Sequence, residues 1–234
     1  MVGALVGFIF RGITHRCADA VLAFAAGVSI AAAVLGLILP SLEYGGALGP
    51  LISVVGIFVG ALCVNLLDGA VPMAHKFVGL GGGGKIDDRS GRVLVFVMAM
   101  AIHNLPEGIA AGVGFGSEDI SAGILIALGI AIQNIPEGMV IIAPMLSLGI
   151  SPRRTLICAL ATGLVEVVGT IIGYYAVTVA SAILPFSLAF AGGTMLYVVS
   201  NDMIPESHSH DGGRASTYAL LAGFSLMLVV SALL

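Results

Sequence analysis

The sequence predicts an all-α, polytopic membrane protein: a transmembrane bundle of eight helices in a three-plus-two-plus-three inverted-repeat arrangement. Three observations carry that expectation. Of 234 residues, 59% are hydrophobic and only 9% charged, with a mean hydropathy of +1.12, whereas a water-soluble domain is about 25% charged. The apolar residues fall in runs of about 20, long enough to cross a hydrocarbon core of about 30 Å. One phrase is also written twice, in the middle of two adjacent runs: Ala101-Ile102-His103-Asn104-Leu105-Pro106-Glu107-Gly108 and Ala131-Ile132-Gln133-Asn134-Ile135-Pro136-Glu137-Gly138.

The first apolar segment, Met1 to Phe10, meets Arg11 after about 15 Å of helix, half a span. With Arg11 at a membrane surface, this first helix is expected to begin further upstream and reads as truncated. Full-length spans are expected at 18–40, 48–71, 92–114, 119–147, 152–180, 182–204 and 215–234. The connections are short except 72–91, where Gly81 to Gly84 and the charges Lys85, Asp87, Asp88 and Arg89 predict a flexible loop. Residues 1–234 therefore read as a single transmembrane domain.

Orientation follows from the basic residues. Arg11 and Arg16, then Lys76, Lys85, Arg89 and Arg92, then Arg153 and Arg154, and finally Arg214 all fall in alternate connections, so the nine Lys and Arg lie on one side. The opposite loops hold Glu43 and Glu118 but no Lys or Arg. By the positive-inside rule the basic side, including 72–91, is cytoplasmic, and both termini are extracytoplasmic in the cell (inner) membrane. No cleavable signal pattern is present. Cys17, Cys63 and Cys158 form no CxxC pair and read as small buried hydrophobes. Membrane lipid is an expected partner and nucleic acid is not.

A second repeat links distant spans. Leu22-Ala23-Phe24-Ala25-Ala26-Gly27 recurs as Leu188-Ala189-Phe190-Ala191-Gly192-Gly193, each with a proline near the end of its span, Pro40 and Pro205. The two copies run in opposite directions, as do the two copies of the doubled phrase, which is the basis for an inverted repeat with a site at the midplane. Gly56 with Gly60, Gly108 with Gly112 and Gly169 with Gly173 are spaced for close helix packing.

The chemistry sits in the doubled phrase. Residues i and i+4 share a helix face, so His103 pairs with Glu107 and Gln133 with Glu137, with Asn104 and Asn134 alongside. Pro106 and Pro136 lack an N–H and release the carbonyls of Ile102 and Ile132. Glu107, Glu137 and Glu166 all lie near span centres. Three charged residues there cost roughly 8–10 kcal/mol on insertion scales if unexplained. Every Lys and Arg is already assigned to the cytoplasmic side, so the countercharge left is a proton or a metal cation. Imidazole, carboxylate and amide donors without thiolate suit Zn²⁺, Fe²⁺ or Mn²⁺ rather than Cu⁺. A permanent zinc site is more often closed by Cys or several His, so this set describes a site that releases its metal. Three classes remain open on the residues alone: a divalent-metal transporter, a proton-linked carrier of an organic solute, and an intramembrane metalloenzyme. Against the last, neither HExxH nor the Glu-x-x-His order of di-iron bundles occurs.

His103 to Gly108, Gln133 to Gly138 and Glu166 resemble the metal-binding helices of the ZIP (Zrt/Irt-like) divalent-metal transporters, particularly the prokaryotic branch. The resemblance extends over nearly the whole chain, including Leu67-Asp68 with Pro72 and His75, and Ile204-Pro205-Glu206-Ser207-His208. It implies transport towards the cytoplasm of a divalent metal, zinc first, with iron, manganese or cadmium as further substrates; the metal is cargo, and no cofactor or enzymatic activity is implied. It implies a binuclear centre, one site using His103, Glu107, Gln133 and Glu137, the second Asn104, Asn134 and Glu166, with Glu107 and Glu137 bridging. Asp68, His75, Asp202, Glu206 and His208 become candidates for the path or release of the ion. The chain departs from the pattern at Ser29, where relatives often place a methionine ligand, and at Asn201 and Asp202, where a His-Glu pair is common. Oligomeric state stays open, with a homodimer as one option.

Overall fold

The computed structural model describes residues 2–9, 14–79, 101, 104–117, 120–147, 149–179, 181–209 and 213–233. All regular structure among them is helical. Helix α1 is Val2–Ile9. Helix α2 starts at His15, where the Thr14 side chain accepts from the Cys17 amide, runs to Ala33, widens into a π-helical segment over Val34–Ile38 and ends as Leu39–Tyr44. Helix α3 is Gly49–Gly79, α4 covers 104–116, α5 is Ile120–Ser147 and α6 is Pro152–Val179. Helix α7 repeats the design of α2, with Leu184–Val198, a π-helical Val199–Met203 and a final Ile204–Ser207. Helix α8 is Gly213–Leu233.

Long apolar runs explain the helices, because backbone polar groups in lipid must be satisfied within the segment. Stops are local. Gly149 takes φ +68, its N–H bonds Leu146 O at 2.7 Å, and the Ile150 N–H reaches back to Met145 O at 3.0 Å. That paired closure with a left-handed glycine ends α5. One expected boundary is corrected: the loop read from 72 begins later, since α3 continues through 72–79. Met73, Ala74 and Lys76 favour helix, and a proline is tolerated inside a membrane helix, so Pro72 does not act as the stop. The rest of the expected loop, and the first half of the span expected at 92–114, lie outside the described residues.

The helices pack in four pairs that small residues make possible. In the α2–α8 pair, a Cβ at Gly27 would strike the backbone of Leu220 and Phe224, and one at Gly223 the backbone of Phe24 and Val28. In α3–α7, Gly60 meets Phe190 O, and Gly193 meets Ile57 O. In α4–α6, Gly108 and Gly112 lie on the backbones of Glu166 and Thr170, and Gly169 and Gly173 on those of Leu105 and Ile109. In α1–α5, Gly3 meets Ile135 O, and Gly7 meets Met139. Backbones this close leave no room for any side chain, the arrangement small residues permit between membrane helices.

Those pairs extend the inverted repeat. Exchanging α2 with α7 and α3 with α8 turns the α2–α8 pair into α7–α3; exchanging α1 with α6 and α4 with α5 turns α1–α5 into α6–α4. Phe24 plays against Gly223 the part Phe190 plays against Gly60, and Gly3 and Gly7 on α1 stand to α5 as Gly169 and Gly173 on α6 stand to α4. The π-helical segments also correspond, each followed by its proline, Pro40 or Pro205, one residue beyond the first residue of the next helical segment. The two halves, α1/α4/α5/α6 and α2/α3/α7/α8, meet chiefly where α2 packs on α5. A core of Val28, Ala31 and Leu37 from α2, Ile126 and Ile130 from α5, and Leu188 and Met195 from α7 fills that junction.

Among the described residues, five helices are long and apolar enough to cross a membrane: Arg16–Tyr44, Gly46–Leu67, Ile120–Met139, Pro152–Val179 and Gly213–Leu233. Their outer faces carry Phe58, Leu62, Leu164, Val168, Leu221 and Val229, all exposed from the protein. Such a belt suits lipid tails, which are as apolar as leucine.

The glycine contacts predict a sharp contrast. Gly223→Ala should destabilise the protein by about 1–3 kcal/mol or more through overpacking, because the added methyl meets backbone of α2. Gly163→Ala on α6, where a Cβ meets nothing within 4 Å, should be neutral or stabilise by up to about 1 kcal/mol from helix propensity. Thermal unfolding of the two purified variants in detergent checks the ordering; equal melting temperatures would contradict the packing described.

Candidate metal centre

Helix α4 brings Asn104 and Glu107, α5 brings Gln133, Asn134 and Glu137, and α6 brings Glu166 to one level of the bundle. Glu107, Gln133 and Glu137 are 3%, 1% and 6% exposed, so two carboxylates of the doubled phrase are held away from the surface. Asn104 is buried as well. Burial of polar groups on this scale is tolerated only with partners, and the partners are largely amides. The Gln133 Nε2 donates to Glu107 Oε1, and the Ser29 hydroxyl of α2 donates to Gln133 Oε1. On the other side, Asn134 Nδ2 donates to both oxygens of Glu166, at 3.0 Å each. One pair of adjacent residues on α5, Gln133 and Asn134, therefore reaches two carboxylates on two different helices.

The glycines explain why α6 takes part. Gly108, next to Glu107, lies directly on the Glu166 backbone, so the absence of a Cβ there sets Glu166 beside the α4 carboxylate. Thr170 Oγ1 bonds the Glu166 carbonyl at 2.9 Å. A tight cleft runs in from α2 and α7, lined by Ser29, Pro106, Glu107, Gln133, Met195, Val198 and Val199. Among the described residues no basic side chain lines it, and Arg16, Arg153, Arg154 and Arg214 are exposed.

The residues singled out by sequence divide into three groups. Glu107 with Gln133, and Asn134 with Glu166, are joined across α4, α5 and α6, and Asn104 and Glu137 are buried on α4 and α5. Asp202, Glu206 and His208 stand apart from them as exposed groups at the end of α7. Asn201 Nδ2 bonds Asp202 Oδ1 at 2.8 Å, and the His208 ring contacts Ile204 O at 3.0 Å and Thr217 Oγ1 at 3.3 Å, closing the end of α7 against α8. His103 and the side chains of Asp68 and His75 lie outside the described part of the structure. Among the described residues, no three of His, Cys, Asp and Glu converge into a ready cage.

Sequence reading missed the part played by Ser29. It marked the position only as a departure from a pattern, whereas the side chain is hydrogen-bonded to Gln133. It also missed that Met195 and Val199 of α7 close the cleft, although the repeat joining Leu22 to Leu188 already set α7 opposite α2.

The family model described as ZIP Zinc transporter matches residues 79–231. The chain is 42% identical over 175 residues to the zinc transporter GufA of Myxococcus xanthus, covering 75% of this chain and 68% of that protein. It is 36% identical over 233 residues to the zinc transporter ZIPB of Bordetella bronchiseptica, covering 97% of this chain and 75% of that one. The zinc transporter ZIP11 of Homo sapiens is 38% identical over 143 residues, 58% of this chain and 42% of its own length.

Proposed function

Because the chain belongs to the ZIP zinc transporter family, we propose that it carries divalent metal cations, zinc first, towards the cytoplasm through the midplane centre on α4, α5 and α6. It is a multi-pass membrane protein of a transporter family, and the three relatives above, each called a zinc transporter, support zinc as the leading substrate. The observation that carries the reading is the burial of Glu107 and Glu137 beside the amides of Gln133 and Asn134, which reach Glu107 and Glu166. Such a set of carboxylate and amide oxygens suits a divalent cation.

In this reading Glu107 and Glu137 bridge two metals. His103 and Gln133 complete one site, and Asn104, Asn134 and Glu166 the other. Oxygen and imidazole donors suit zinc, iron and manganese, and replacing the amide hydrogen bonds to Glu107 and Glu166 by metal contacts is the local event of loading. Asp68, His75, Asp202, Glu206 and His208 are assigned to the cytoplasmic release route, and the protein to the inner membrane with both termini outside. A homodimer is compatible with the lipid-facing belt.

Glu107→Ala and Glu137→Ala should each abolish zinc uptake into proteoliposomes, since each removes a ligand from both sites. Glu166→Ala touches one site and should retain part of the rate. Near-normal uptake by Glu107→Ala would sink the binuclear assignment.

Orientation is checked with single cysteines in a cysteine-free background. At Ser117 and Ser187 they should react with an impermeant thiol reagent applied to intact cells, and at Gly83 they should not. Labelling at Gly83 would reverse the assigned direction.

Metal affinity should also depend on pH with a fixed sign. Carboxylate and imidazole ligands bind metal only when deprotonated, so protons compete more strongly as pH falls and zinc affinity drops. Titration at several pH values with a count of protons released per zinc checks this. A His103→Gln variant should keep the carboxylate part of the dependence, and affinity flat from mildly acidic to neutral pH with no proton release would contradict it.

A further inference from the structure

We propose that Ser29 is a positioning residue that competes with the metal for the ligating oxygen of Gln133, so that this chain binds its cargo more weakly than its carboxylates alone would dictate. The inference rests on the proposed metal site and deepens it. It starts from the direction of three hydrogen bonds. The Gln133 amide turns its Nε2 towards Glu107, whose Oε1 accepts. The amide oxygen then points the other way, at Ser29, and a hydroxyl facing an oxygen must donate. The order Ser29 to Gln133 to Glu107 therefore runs from α2, in one four-helix half of the bundle, to α5 and α4 in the other.

A metal held by both Glu107 and Gln133 needs the amide oxygen, since the amide nitrogen offers no lone pair to a cation. That oxygen is the atom engaged by Ser29. Loading therefore has to take Gln133 Oε1 away from the hydroxyl, and the hydroxyl has somewhere to go: Ala25 O, one turn back on α2, lies 3.0 Å from Ser29 Oγ. The serine is satisfied in both states, but the Gln133 oxygen is satisfied by protein only in the empty one. Both residues are 1% exposed, so water does not replace the lost bond and the competition is felt in full.

The test is zinc affinity of the purified full-length protein, measured by chelator competition at one pH. Ser29→Ala should bind zinc about two- to ten-fold more tightly, the equivalent of one neutral hydrogen bond, while Ser29→Thr, which keeps the hydroxyl, should stay within about two-fold of the parent. In a Gln133→Ala background the gain from Ser29→Ala should vanish. A general loosening of the fold weakens binding, so tighter binding is not a product of structural damage. Weaker binding by Ser29→Ala would make the hydroxyl a ligand in its own right, and unchanged binding would mean it serves the turned-over amide equally well; either result overturns the proposal. A gain that persists in the Gln133→Ala background overturns it too and leaves the metal site standing. Parent protein whose zinc affinity is indifferent to Gln133→Ala would remove the metal-site reading itself, and the proposal with it.

Discussion

Burying the carboxylates of Glu107 and Glu137 among apolar helices is the constraint on which the rest of this structure depends. A carboxylate there needs donors fixed by the fold, and fixed donors need helices that approach closely and do not slide. Gly108 and Gly169 let α4 and α6 meet backbone to backbone. That contact sets Glu166 level with Glu107, and the adjacent amides of Gln133 and Asn134 on α5 then reach one carboxylate each. A methyl group at Gly108 would strike Glu166 O, so α6 would have to move away from α4. The glycines are therefore part of the chemistry, although they touch no ion.

The inverted repeat explains how such a site comes to lie midway. Two halves of opposite sense put their equivalent residues at equivalent depth from opposite faces, so the doubled phrase on α4 and α5 converges at the centre. The flanking helices obey the same exchange. Serines close each end in a related way: Ser41 Oγ lies 2.7 Å from Ser53 Oγ, tying α2 to α3, and Ser216 Oγ donates to Ser207 O at 2.7 Å, tying α8 to α7. The π-helical segments of α2 and α7 stand beside these ties, and each precedes a proline that cannot donate to the helix ladder. A wider turn absorbs the mismatch without breaking the span.

Much of this was legible in the sequence because membrane solvation writes in long words. Runs of about 20 apolar residues place helices within a few positions, and His103 to Gly108 against Gln133 to Gly138 is a repeat too specific to arise from apolar composition. What was not legible follows from contacts between helices. The equivalences of α1 with α6 and of α3 with α8 rest on scattered glycines, Gly3 with Gly169 and Gly60 with Gly223, whose common role appears only against the facing backbone. The end of α3 was misplaced because Pro72 stops helices in water and is tolerated in membranes. Ser29 looked like a missing ligand, since a pattern reports which atom is absent and not which hydrogen bond has taken its place.

Tightness is not what a carrier needs from such a site. Two buried carboxylates with further oxygen and imidazole donors form a strong trap for a dication, and a trap that holds too well delivers nothing. In the proposed centre, each ligand that is an amide in place of a charge would lower the electrostatic pull. Each amide that also serves as a hydrogen-bond donor in the empty site, Gln133 to Glu107 and Asn134 to Glu166, gives the empty state a structure of its own to return to. In the proposed transport, release would exchange metal contacts for the hydrogen bonds from Gln133 to Glu107 and from Asn134 to Glu166. The same amides that serve the empty site would then make the loaded site reversible.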